Sequence, residues 1–212
     1  MREYHKIHSI FKRDPQTNKF LMGQYSLPEI EYLANNEWRF DEKIDGTNIR
    51  VMFNGDSVEF GGRTSNAQIP ANLYKKLTEL FPIDKLKAVF PPKEDGALPS
   101  VCLYGEGFGA KIQKGGSNYI PDGVSFILFD VLINDFYLLP EDVIDVANKL
   151  QIQVVPKVGF GTLLTGIEVV MNGLKSHFGD FEAEGIVARP VVPMFSRNGS
   201  RVIVKIKGKD FK

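Results

Sequence analysis

Glu42-Lys43-Ile44-Asp45-Gly46-Thr47-Asn48, read together with Lys205-Ile206-Lys207 far downstream, is the pairing on which the architecture turns. A lysine beside an acidic residue and a glycine turn, matched to two more lysines at the far end of the chain, is the pattern of an amine placed to attack phosphorus. An unperturbed lysine at pH 7 is almost entirely protonated, and removing that proton costs on the order of 4 kcal/mol. Like-charge repulsion from two further lysines would favour the neutral amine, and the same pair could neutralise a polyphosphate under attack.

The second stretch reads as a strand. In Arg201-Val202-Ile203-Val204-Lys205-Ile206-Lys207 the apolar side chains of Val202, Val204 and Ile206 fall on one face. Lys205 and Lys207 then share the other, about 7 Å apart along the strand, where two ammonium groups repel unless an anion lies between them. A bound phosphate chain would serve, and an amphipathic edge strand with protective lysines is the alternative. The surrounding run is basic as well, with Arg197, Arg201, Lys205, Lys207, Lys209 and Lys212 against Asp210. Net charge over the whole chain is zero, so any polyanion site must come from such local clustering.

Working outward, Asn54-Gly55 between Ile49–Phe53 and Ser57–Phe60 signals a tight hairpin directly after the lysine motif. Val101–Tyr104, Ser125–Ile133 and Gly185–Arg189 read as further strands. Ser26-Leu27-Pro28-Glu29 predicts a helix start leading through Ile30 and Leu33, with Ser26 as cap; Pro70 introduces another toward Phe81. Pro140 opens a third, whose Val143, Val146, Ala147 and Leu150 recur on one face. Phe90–Gly96 and Lys114–Ser117 read as exposed loops. With 212 residues, 43% of them hydrophobic, there is material for a real core, and a single domain over 1–212 is expected.

A single cysteine, Cys102, excludes an internal disulfide framework, and within an apolar strand it reads as a core thiol. The opening Met1-Arg2-Glu3-Tyr4-His5 carries no apolar signal segment, which points to a cytoplasmic protein. The apolar stretch from Val124 to Ile133 is too short to cross a bilayer and reads as a buried strand. His5, His8 and His177 are not at metal-ligand spacing.

Six segments in order resemble the covalent nucleotidyltransferase superfamily of ATP-dependent DNA ligases, RNA ligases and mRNA capping enzymes. They are Lys43-Ile44-Asp45-Gly46, Gly62-Arg63-Thr64, Tyr104–Gly109, Phe126–Asp130, Glu184-Gly185-Ile186-Val187 and Lys205-Ile206-Lys207. Within it the chain is most similar to the RNA ligase 2 family. Asn48 stands where DNA ligases usually carry an arginine, and Glu184–Pro190 followed by Arg197–Val202 resembles that family's approach to its last lysine motif. Asp45 departs from the histidine of some members.

The resemblance implies an α+β nucleotidyltransferase fold, of the ATP-grasp-like ligase adenylation type, with mostly antiparallel sheets and flanking helices. It also implies an ATP-dependent enzyme that joins 3′-hydroxyl and 5′-phosphate RNA ends. Lys43 would attack the α-phosphate of ATP and hold AMP as a phosphoramidate, and Lys205 and Lys207 would contact phosphates as further catalytic groups. Glu42, Ile44, Asn48, Arg63, Glu106, Phe129 and Glu184 would complete the nucleotide site. Of these, Arg63 and Glu106 would hold the ribose, and Phe129 would stack on adenine, although a core phenylalanine is the competing reading. Glu184 would organise Mg²⁺ or Mn²⁺ through water, or form a structural salt bridge instead. With five residues after Lys207, the oligonucleotide-binding or helical C-terminal domain of relatives is expected to be missing, and a partner protein or the domain's own basic loops would then engage RNA. A DNA ligase core, a GTP-using capping enzyme and a non-catalytic nucleotide- or RNA-binding module of the same fold are the alternatives.

Overall fold

Trp38-Arg39-Phe40-Asp41-Glu42, the segment that delivers Lys43, is a strand whose Trp38 and Phe40 are fully buried. Their alternation buries one face of the strand, and the Trp38 indole N–H finds the Leu33 carbonyl at 2.8 Å, as a buried indole must find an acceptor. The computed structural model describes residues 3–64 and 66–212. Met1 and Arg2 of the opening stretch therefore lie outside the described residues. The chain forms two compact units, one of residues up to Tyr4 with Asp45–Val155, the other of His5–Ile44 and Pro156–Lys212.

The unit that carries Lys43 is built on a five-stranded sheet. Its order is His8–Ser9, Val204–Lys207, Gly185–Pro190, Trp38–Glu42, Lys157–Gly161, with only the first pair parallel. Phe40, Ala188 and Val204 align across three neighbouring strands, as do Glu42, Ile186 and Ile206 one step on. The helix Leu163–Met171 covers this face. Thr162 caps it through its side chain, and Gly166 lets it approach closely, since a Cβ there would lie 3.1 Å from Phe40 and Ile186. A hairpin of Phe11–Arg13 and Phe20–Tyr25 and the helix Pro28–Leu33 complete this core. The proline sits at the start of that helix as expected, but Leu27 occupies the cap position in place of Ser26, without a side-chain bond.

The other unit centres on a sheet ordered Gln153–Val154, Val124–Ile133, Val101–Gly109, Thr47–Phe53, Val58–Gly61, with Phe136–Tyr137 pairing to Val124–Ile133. The hairpin at Asn54-Gly55 forms where the sequence put it, and Asn54 Oδ1 accepts from the amides of Asp56 and Ser57. The helices Ala71–Leu80, Ile83–Val89 and Pro140–Lys149 contribute Leu77, Leu86 and Val146 to the core against Ile49, Val51 and Leu128. Lys114–Ser117, expected as a loop, runs into a single helical turn at Gly116–Tyr119. Strand Val204–Lys207 is shorter than the expected 201–207, because Val202 turns back to donate its amide to the Met194 carbonyl. Among the described residues no helix is long and apolar enough to cross a membrane. The architecture is α+β with mostly antiparallel sheets.

Candidate active site

Strand alternation and one close backbone approach assemble the lysines. Val204 and Ile206 are buried on the packed face, so Lys205 and Lys207 share the opposite face, each half-buried. Lys205 pairs in register with Val187, which in turn lies opposite Asp41; Lys207 lies opposite Gly185. Lys43 follows the end of its strand, and its amide donates to the Gly185 carbonyl at 2.9 Å. The consequence is an ion triad: Glu184 Oε2 is 2.6 Å from Lys43 Nζ, and Glu184 Oε1 is 2.8 Å from Lys207 Nζ. The three side chains are mostly shielded, being 22%, 13% and 16% exposed for Lys43, Glu184 and Lys207.

This arrangement differs from a bare lysine cluster. Repulsion between Lys43 and Lys207 is compensated by the carboxylate between them, so proximity of like charges is not what the geometry supplies. Burial pushes the Glu184 carboxyl up, but attraction to Lys43 and hydrogen bonds from both lysines outweigh it and hold the group below the usual carboxylate range. For Lys207 burial works against the charged form, and Glu184 overrides it, leaving the ammonium raised above its ordinary value.

Glu42, grouped with Lys43 on sequence alone, turns the other way. Its fully buried carboxylate accepts from Ser176 Oγ at 2.6 Å and from the His177 amide at 2.9 Å, and lies 3.0 Å from His177 Nδ1. It clamps the 176–177 turn to the packed side of the sheet and does not join the triad. Ile44, two residues on, is buried. Asp41 is held by Arg39 Nε at 2.8 Å and by Arg189 at 3.6 Å, a buried cation–carboxylate group that pattern reading missed.

In the other unit, Asn48 and Glu106 are cross-strand neighbours, and Arg50 lies opposite Tyr104 one step along the same face. Gly46 allows this strand pair to close up, because a Cβ there would sit 2.7 Å from Glu106 Cγ and collide with the Gly107 carbonyl. Alternation from Phe126 and Leu128 points Phe129 to the opposite face, and a β-bulge turns Asp130 to that face as well: Tyr104 pairs with Asp130 and Gly105 with Leu128, so Phe129 is the extra residue. Phe126, Leu128 and Val131 face the helices, leaving Phe129 and Asp130 together on the opposite side. There Tyr4 packs edge-on against Phe129 at 5.1 Å and donates its hydroxyl to Asp130 at 2.8 Å. Arg63 is exposed.

The family model for RNA ligases matches residues 36–207, spanning the whole of the lysine arrangement. The chain belongs to the RNA ligase family. Solved structures of the Naegleria gruberi RNA ligase share the fold. A mutant with ATP and Mn superposes with a TM-score of 0.67 at 18% identity, covering 100% of this chain and 57% of that one. The form with PPi gives 0.65 at 20% identity, covering 87% of this chain and 53% of that one. The chain thus spans little more than half the length of the structures it matches.

Two features of this family member were not legible beforehand. Arg50, only 5% exposed, donates from Nε to the Gly62 carbonyl at 2.8 Å and so fixes the backbone beside Arg63. Its position two after Asn48 and two before Met52 on a strand was the available signal. Gly185 is the second. It has φ of +150°, and a Cβ would run into the Ile206 carbonyl. Gly185→Ala should therefore destabilise the protein by about 1–3 kcal/mol and loosen the strand pair holding Lys207, measured by urea unfolding. Cys102, by contrast, is the buried thiol expected, its pKa pushed up to about 11 by burial.

Proposed function

We propose that this protein is an ATP-dependent RNA ligase that works through a lysyl-AMP intermediate on Lys43. The observation that carries the reading is the Lys43–Glu184–Lys207 triad, which holds the amine nitrogen in one place and aligns a second cation beside it. In this reading the Lys43 amine, once its proton is lost, attacks the α-phosphorus of ATP; the bond to the β-phosphate oxygen breaks and pyrophosphate leaves with that electron pair. Lys207, and Lys205 on the same strand face, neutralise the phosphate charge that builds up. AMP then passes to an RNA 5′-phosphate, and a 3′-hydroxyl displaces it. All three steps depend on positioning and charge more than on groups of special acidity.

Arg63, Glu106, Asn48 and Phe129 are proposed to hold the adenosine, with the Phe129 ring as stacking partner. A divalent cation does not fit as a protein-held ion at Glu184, since both carboxylate oxygens already face lysine nitrogens. The described residues also contain no group of three potential ligands. Mg²⁺ or Mn²⁺ is better accommodated on the ATP phosphates with its waters retained, and Glu184 then acts on the lysines. Contacts to RNA beyond the joined ends come from this chain's own basic surface or from a partner.

The deciding experiment is intact-mass measurement after incubation with ATP and Mg²⁺, followed by presentation of nicked RNA and nicked DNA. An AMP adduct and sealing of the RNA nick support the reading; neither adduct nor pyrophosphate release would sink it. Lys207→Ala should slow adduct formation by about 10²–10³-fold, and Lys205→Ala should depress it too, with unchanged melting in Lys205→Ala. Single-turnover kinetics with labelled ATP measures both.

A further inference from the structure

The basic run from Arg197 onward is only partly used by the lysine arrangement. Lys207 is paired with Glu184, Lys212 with Glu182 at 3.0 Å, and Asp210 with Arg13 at 2.7 Å. Arg201 lines a cavity of about 200 Å³, together with His5, Lys6, His8, Glu29 and Asn198. Arg197 borders an adjoining hollow shared with Glu29 and Asn198. The wall is shaped by a tight turn: Asn198 Oδ1 accepts from Ser196 Oγ at 2.6 Å and from the Ser200 amide at 2.9 Å, which orients the Asn198 amide group.

We propose that this cavity binds a phosphodiester of the RNA strand, with its sugar, a few nucleotides from the end being joined. This rests on RNA being the substrate. Lys6 and Arg201 supply fixed positive charge in a concave, partly apolar setting, where the field is stronger than on an open surface. The volume is below the roughly 300–1,000 Å³ of a whole small-molecule site, and suits one unit of a strand that continues beyond it. Glu29 opposes a phosphate, but a carboxylate is an acceptor for a ribose 2′-hydroxyl, the group that tells RNA from DNA. Continuity with the triad gives the direction. His8 pairs in register with Val204 and Ser9 with Lys205, so the cavity's edge strand lies beside the strand carrying both lysines. Arg201 precedes Lys205 by four residues, a reach of at most about 14 Å.

The test uses the full chain, a 5′-phosphorylated RNA oligonucleotide and fluorescence polarisation over a series of salt concentrations. Lys6→Ala with Arg201→Ala should weaken RNA binding about tenfold and lower the slope of log affinity against log salt by about 0.7 for each cation removed. Formation of the AMP adduct from ATP should stay at the unmutated rate. If the double variant melts early, Arg201→Gln alone should show half the slope change. Unaltered RNA affinity and slope in a folded variant overturn the proposal. So does inorganic phosphate binding that depends on Arg201 while RNA binding does not, which would assign the cavity to a free anion. Failure of the unmutated chain to form an adduct would instead count against the ligase reading, whatever the RNA titration gives.

Discussion

If the proposed lysyl-AMP chemistry holds, Lys43→Ala will lose the AMP adduct completely and lower ATP–pyrophosphate exchange by on the order of 10⁴-fold or more, because the variant would lack the nitrogen proposed to form the bond. No neighbour can substitute. Lys207 Nζ is held by Glu184 Oε1, and its strand keeps it opposite Gly185. Lys43→Arg should fail almost as badly, since a guanidinium stays protonated and is a poor nucleophile. Stability separates this from a folding defect. Removing Lys43 leaves Glu184 paired with Lys207, so the melting temperature should change by only a few degrees. Intact mass, exchange kinetics and a thermal melt on the same preparation check all three statements. An adduct persisting in Lys43→Ala would place the nucleophile elsewhere.

The parts of this arrangement that sequence disclosed are those set by short-range geometry. Period-two alternation put Lys205 and Lys207 on one face, Asn54-Gly55 marked its hairpin, and Val143, Val146 and Ala147 marked the buried side of their helix. The parts that stayed hidden depend on register between distant strands. Nothing local to Glu184 says which of its neighbours it will meet, and the bridge to both lysines follows from Gly185 lying opposite Lys207 while accepting the Lys43 amide. The same holds for Glu42: one residue from Lys43, it belongs to the opposite face and serves Ser176 and His177. The bulge at Phe129 is a further case, since simple alternation would have sent Asp130 to the helix side. Helix Leu163–Met171 escaped because Ile167, Val169 and Val170 are β-branched residues that favour strands in isolation; burial against Phe40 and Ile186 overrides that preference.

Glu184→Gln is the variant in which stability and chemistry should fail together. A neutral amide between two lysines leaves their repulsion uncompensated in a site where each side chain is mostly out of water. Breaking a buried ion pair by removing one partner costs about 3–5 kcal/mol, and partial exposure here reduces that to about 1–3 kcal/mol. At roughly 2–4 °C per kcal/mol for a chain of this size, the melting temperature should fall by several degrees at neutral pH. The pH dependence identifies the cause. Because the folded state holds the Glu184 carboxyl below its unfolded value, near 4.3, its contribution is present in full above that value. It is lost as pH falls through the lower, folded value. Lys207 titrates in the opposite sense: raised in the folded state, it stabilises below about pH 10.4 and ceases to do so as pH climbs past its folded value. The stability difference between unmutated protein and Glu184→Gln should therefore be flat across the neutral range and close at both extremes. Adduct formation should drop by about 10²-fold, since the Lys43 nitrogen is no longer held in place. A difference that persists unchanged at acid pH would mean that Glu184 acts through packing and not through its charge, and the triad would lose its electrostatic role.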